Sequence, residues 1–148
     1  MNNEAQLNTI IKNSIINSGG WAYKINDPQK SSVYTSNPNP FDGFGIYQGN
    51  SLYWEAKYMS LLHSFSLNSI QDHQIKNLVE INTLNPNSLC WIILGVHIAR
   101  GNNRVYVFKD VHEIARRRAN KLNIKKKELE SLSYLSVHKD LIDIKSVL

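Results

Sequence analysis

Apolar residues between Glu4 and Asn17 fall at Leu7, Ile10, Ile11 and Ile15. The spacing i, i+3, i+4, i+8 predicts an amphipathic helix, with Ser18-Gly19-Gly20 as its C-cap. Trp21 to Ile25 reads as a short strand. Asp27 to Pro40 gathers three prolines with several serines and asparagines, which predicts an exposed loop. The next stretch, FDGFGIYQGNSLYWEAK from Phe41 to Lys57, alternates aromatic and small or polar residues on both sides of Gly49-Asn50, the pattern of a β-hairpin. Leu67 to Leu84 predicts a second helix, capped near Asn68, with Ile70, Ile75, Leu78 and Val79 inward. Leu89–His97 and Arg104–Phe108 are two further strands joined near Gly101-Asn102-Asn103. Asp110 with Glu113 has the form of a capping box for a third helix. The series is helix, strand, hairpin, helix, two strands, helix. It predicts one α/β domain over residues 1–148, a small mixed sheet flanked by helices.

The hairpin carries charges where a core is expected. With Gly49-Asn50 as the loop, Gln48 pairs with Ser51, Phe44 lies opposite Glu55, and Asp42 lies opposite Lys57. Directly paired residues share a face, so Asp42, Glu55 and Lys57 converge at one end of the hairpin. The other face receives Leu52, Trp54 and Ala56 against Tyr47, Gly45 and Gly43, whose missing side chains leave room for the indole. Two carboxylates so close repel one another unless a cation lies between them. Oxygen ligands of this kind suit Mg²⁺, and a neighbouring ammonium can place a water and offset charge developing on a phosphate. Two plainer accounts exist: Asp42-Gly43 as a simple turn pair, and Glu55 with Lys57 as the wet side of an edge strand. Phe41, Phe44, Ile46, Tyr53 and Tyr58 cover both faces, and half-buried charges need a partner or a metal, which favours the site.

Charge adds a partner class. The net +5 is made of about +6 in residues 100–148 and −1 in residues 1–99. A basic half on a near-neutral half points to a polyanion such as nucleic acid, or to a basic solvated face. Hydrophobic content of 42% with 20% charged residues is that of a globular chain. The longest apolar run, Leu89 to Ala99, is too short to span a bilayer. The start, MNNEAQLN, lacks the basic region of a secretory signal, and the lone Cys90 suits a reducing cytoplasm. Five histidines show no zinc-type spacing, and no phosphate-binding glycine loop is present.

Asp on one strand with Glu-x-Lys on the next resembles the PD-(D/E)XK nuclease core. With Ser64–Leu67 (SFSL), Asp72–Ile75 (DHQI) and the KKKELE run from Lys125 to Glu130 before Tyr134, the chain resembles the RecU-type Holliday junction resolvases. The resemblance implies a restriction-endonuclease-like fold and a metal-dependent endonuclease that nicks four-way junctions symmetrically in recombination. It implies Mg²⁺, with Mn²⁺ substituting, held by Asp42, Glu55 and the Ala56 carbonyl. Lys57 would be the catalytic lysine, Glu4 the helix carboxylate completing the site, and Gln74 a supporting helix residue. Lys24, Lys30, Arg116, Arg117, Lys125 and Lys126 are the candidate DNA contacts. A homodimer is implied, with other recombination proteins as further partners. Two departures stand out. The Asp27–Pro40 loop is short where the family carries a longer projection, and Phe41 replaces a small hydroxyl residue. The short loop leaves a duplex endonuclease of the same fold as an alternative; a non-catalytic DNA-binding module is another.

Overall fold

The helical spacing at the start of the chain produces α1 (Glu4–Asn17), whose Leu7, Ile10, Ile11 and Ile15 are all buried. Asn3 caps it by accepting from the Gln6 N–H, and the chain leaves the helix through Ser18 and a left-handed Gly19 at φ +90°. The structure, a computed structural model, describes residues 1–26, 38–99 and 101–147. The strands are β1 (Trp21–Lys24), β2 (Gly43–Tyr47), β3 (Asn50–Met59), β4 (Leu89–Ala99), β5 (Asn102–Phe108) and β6 (Leu135–Ser136). They lie in sequence order in one sheet. All neighbours are antiparallel except β3 and β4, which run parallel. That parallel pairing requires a crossover, and it carries α2 (Asp72–Leu84). After β5 come α3 (Val111–Ala119) and α4 (Lys126–Ser131). This is the expected α/β architecture, with the helices divided between the two faces of a mixed sheet. Among the described residues, no helix is long and apolar enough to cross a membrane.

Alternation along the central strands assigns each face. Leu52, Trp54, Ala56, Trp91 and Ile93 pack against α1. Ile92, Leu94, Val96 and Tyr106 pack with Ile75, Leu78, Val111 and Ile114 from α2 and α3. A strand covered on both sides reads as a continuous apolar run, which is why Leu89–Ala99 lacks alternation.

Two expectations change. The hairpin loop is Gln48-Gly49, not Gly49-Asn50, and Tyr47 pairs with Asn50. Both loop residues have positive φ, +50° and +78°, as a two-residue type I′ turn requires. That turn favours glycine in its second place, so Gly49 takes it and Asn50 begins the strand. The register moves by two residues, which conserves the faces that a one-residue slip would exchange. Trp54 therefore lies opposite Gly43 rather than Gly45, and Phe44 opposite Tyr53 rather than Glu55.

The second change concerns α2. Helix does not run from Leu67: Leu67–Ser69 is a single 3₁₀ turn, Ile70 is extended, and α2 begins at Asp72. The Leu67 carbonyl, which also accepts the Ile70 N–H at 3.2 Å, and the Ile70 carbonyl accept from the Arg118 Nε at 3.2 and 3.0 Å. A guanidinium from α3 thus holds the 3₁₀ turn and the extended residue that follows it. Asn68 caps nothing, and the Gln74 side chain accepts the Gln71 N–H at 2.9 Å in its place.

Candidate active site

The ladder between β2 and β3 ends at Gly43 and Trp54, although β3 continues for five more residues. Beyond that point a side chain stands in for a strand: Asp42 Oδ2 accepts the Ala56 N–H at 2.9 Å. The same oxygen accepts from Asn8 Nδ2 at 3.1 Å. The first turn of α1 brings Glu4 to this notch, and β3 contributes Glu55 and Lys57. One carboxylate oxygen from each of Glu4, Asp42 and Glu55 lies within 4.8 Å of the others. Lys57 Nζ donates to Glu55 Oε1 at 2.7 Å and lies 3.7 Å from Glu4.

The electrostatics of this group are unbalanced. Glu55 is completely buried, and its Oε2 has no hydrogen-bond partner among the described residues. Burial, with the Asp42 charge next in importance, pushes the Glu55 carboxyl up to about 8 against the opposing pull of Lys57. Burial alone would lower Lys57; the Glu55 charge and hydrogen bond outweigh it and hold the ammonium above its ordinary value. Among the described residues, three carboxyl groups and the Lys57 ammonium share the notch, and without a cation the buried Glu55 keeps its proton up to about 8. An orphaned oxygen on the most buried of the three leaves a ligand position that a cation could fill. The donor set, all oxygen, fits a hard divalent cation.

The structure therefore brings Asp42, Glu55, Lys57 and Glu4 together, with Ala56 in the same notch. Lys24 lies on β1 beside this end of the hairpin, paired with Gly43, its Nζ 3.5 Å from the Ala5 carbonyl. Gln74 is elsewhere in role: it is buried and its side-chain oxygen caps α2. Arg116 is exposed and pairs with Glu113, whereas Arg117 makes a two-pronged pair with Glu128 at 2.5 and 2.8 Å. Lys125 is exposed at the start of α4, and Lys126 lies 3.8 Å from Glu130. Lys30 lies outside the described residues.

Asn8 escaped the sequence reading. Its signal was present: it stands four residues after Glu4, hence one turn along the same side of α1, and it is a polar residue between Leu7 and Ile11. A cleft of about 410 Å³ also opens beside the carboxylates, lined by Glu4, Lys57, Tyr58, Ser60, His63 and Ser66 among others. Its serine hydroxyls come from the segment after β3, which includes the Ser64–Leu67 motif.

A family model described as Recombination protein U matches residues 4–147. A search of curated proteins gives no match. Among solved structures, Hjc of Archaeoglobus fulgidus, described as a Holliday junction resolvase from an archaeal hyperthermophile, is similar at 12% identity and a TM-score of 0.44, over 70% of each chain.

Proposed function

The chain belongs to the Recombination protein U family and is an endonuclease that resolves Holliday junctions, and from that premise we propose how its residues do so. The reading rests on one observation above the others: the Glu4, Asp42 and Glu55 carboxylates converge with the Lys57 ammonium beside them, and the buried Glu55 Oε2 has no partner among the described residues. Nucleases of this fold use divalent metals; the ion proposed here is Mg²⁺, with Mn²⁺ substituting. Asp42, Glu55 and the Ala56 carbonyl would hold it, and Glu4 would reach it through water. When bound, such an ion supplies an acidified water and neutralises charge on the phosphate being cut.

The rest falls to the chain's own groups. Glu55 holds Lys57 in place through its Oε1, so the ammonium points into the notch without filling it. From there Lys57 orients the attacking water and stabilises the negative charge that grows on the non-bridging phosphate oxygens. The cleft beside Lys57, with Ser60, His63 and Ser66 on its walls, receives the strand. Lys24, Arg116, Lys125 and Lys126 contribute phosphate contacts, which give affinity and orientation without sequence information. Arg117 acts on DNA binding through Glu128, by holding α4 and its lysines against α3. Gln74 supports the site indirectly, by fixing the start of α2. Two symmetric nicks need two copies of the site, which a twofold homodimer provides.

The test uses a labelled four-way junction and a matched linear duplex, each with Mg²⁺ or EDTA, beside Lys57→Ala. Paired nicks confined to the junction, dependent on Mg²⁺ and lost in Lys57→Ala, are the expected result. Cutting of both substrates would favour a duplex endonuclease, and an active Lys57→Ala would remove the lysine from the chemistry. Light scattering on the same preparation checks the dimer.

A further inference from the structure

The Asp42 carboxylate is held in a way that its own strand does not explain. Asn8 Nδ2 donates to Asp42 Oδ2 at 3.1 Å, while Asn8 Oδ1 accepts from the Trp54 indole Nε1 at 2.8 Å. Asn8 and Trp54 are both buried, at 4% and 0% exposure. The orientation of the amide follows from chemistry: an indole N–H can only donate, so the carbonyl must face Trp54 and the NH₂ must face Asp42. Trp54 is itself fixed. A Cβ at Gly43 would come within 2.0 Å of its Cζ2, so the indole lies directly on the glycine that follows Asp42. Gly43, Trp54, Asn8 and Asp42 thus form a closed chain of contacts linking β2, β3 and α1.

The geometry points to Asn8 as a positioning residue for the cation site: anchored by Trp54, it fixes Asp42 through Oδ2 and leaves Oδ1 to the metal. The inference rests on the metal-dependent reading given above. Its physical content lies in the neutrality of the donors. Asp42 shares its site with two other carboxylates, and repulsion alone would turn it outward. A lysine or arginine would restrain it more strongly, but would add positive charge and oppose the divalent ion. Two neutral donors on one oxygen, the Asn8 amide and the Ala56 N–H, hold the carboxylate in place without bringing positive charge into the cation site. Glu4 and Asn8 stand one helical turn apart, so α1 delivers a carboxylate and the restraint of a second carboxylate from one side.

The deciding measurement is Mn²⁺ binding to the DNA-free full chain by electron paramagnetic resonance, for the wild type, Asn8→Ala, Trp54→Phe and Glu55→Gln. Circular dichroism and melting in EDTA are recorded on the same samples. Expected is saturable binding by the wild type, none by Glu55→Gln, and affinity reduced by about 10- to 100-fold in folded Asn8→Ala. Trp54→Phe, which keeps the amide but removes its anchor, should fall between. In cleavage assays the Asn8→Ala rate should recover as Mn²⁺ is raised, a shift in metal midpoint that a merely structural residue would not produce. Wild-type Mn²⁺ affinity in folded Asn8→Ala overturns the assignment. Should Asn8→Ala fail to fold, unchanged affinity in Trp54→Phe overturns it instead. A wild type without saturable Mn²⁺ binding sinks the metal-dependent reading and this inference with it; normal wild-type binding with an indifferent Asn8 sinks the inference alone.

Discussion

Two charged regions of this protein have opposite electrostatic character. On α3, three consecutive arginines are matched: Arg116 with Glu113, Arg117 with Glu128, and Arg118 with Asp72 and two backbone carbonyls. In the notch at the end of β2, three carboxyl groups gather beside the Lys57 ammonium, and an oxygen of the fully buried Glu55 has no donor among the described residues. The arginines look like a nucleic-acid surface in sequence, yet two of them spend their donors within the fold. The hairpin charges read in sequence as a cation site, and in the fold they form a set with a ligand position to spare. A buried carboxyl without a full set of partners is expensive to keep, and its persistence is the better guide to chemistry.

The largest effect that could break this contrast is on turnover. Replacing Lys57 by Ala should lower metal-dependent junction cleavage by about 10²-fold or more at saturating DNA, while gel-shift affinity in EDTA stays near wild type. A variant that binds normally and cuts within a few-fold of wild type would show the notch to be no more functional than α3.

Stability against pH sharpens the contrast from the other side. The Glu55 carboxyl is raised in the fold from its ordinary value of 4.5 to about 8. Between those values the native state holds a proton that the unfolded state has lost, so metal-free stability should fall as pH rises from about 5 to about 8, on the order of a few kcal/mol. Lys57 is raised above its ordinary value, so its contribution is complete throughout this window and is lost only in strong alkali. Urea titrations of wild type and Glu55→Gln should diverge with pH, the variant staying flatter, and Mg²⁺ should restore the wild type at the alkaline end. Parallel pH profiles in the two proteins would mean that Glu55 carries no such burden.

Smaller effects belong to the basic face. Arg117→Ala should cost about 1 kcal/mol of unfolding stability, the upper end for a well-formed pair, because α3 then loses its hold on α4. Its effect on junction binding should follow the loss of structure and no more. Lys125→Ala and Lys126→Ala should leave stability within measurement error, weaken junction and duplex binding alike, and reduce the salt slope of binding by about 1 each. A larger affinity loss in Arg117→Ala than in the lysine variants would reverse the assignment of structural and DNA-facing charges on this side.

Much of the site was legible because β-structure has a period of two. Asp42, Glu55 and Lys57 share a side under any register that differs by an even number of residues, so the two-residue error in the loop left the convergence intact. The α1 face was equally plain from Leu7, Ile10, Ile11 and Ile15. What escaped the reading depended on partners far away in sequence. At the break before α2, Arg118 bonds the carbonyls of Leu67 and Ile70, a contact that no local propensity encodes. Asn8 looked like one polar position in an amphipathic helix until Trp54 and Asp42 were found on either side of it.

By itself, then, the sequence determined the alternation that sets each strand's faces, the spacing that makes α1 amphipathic, and the residue types able to bind an oxygen-loving cation. These are local properties, written in periods of two and 3.6 along the chain. Tertiary structure alone decided that Glu4 joins Asp42 and Glu55, that Asn8 restrains Asp42 through Trp54, and that Arg117 and Arg118 serve the fold. Each of those depends on how α1, α3 and the sheet approach one another. Such approaches are selected by burial and by satisfying polar groups across long sequence separations, and no window of neighbouring residues contains them.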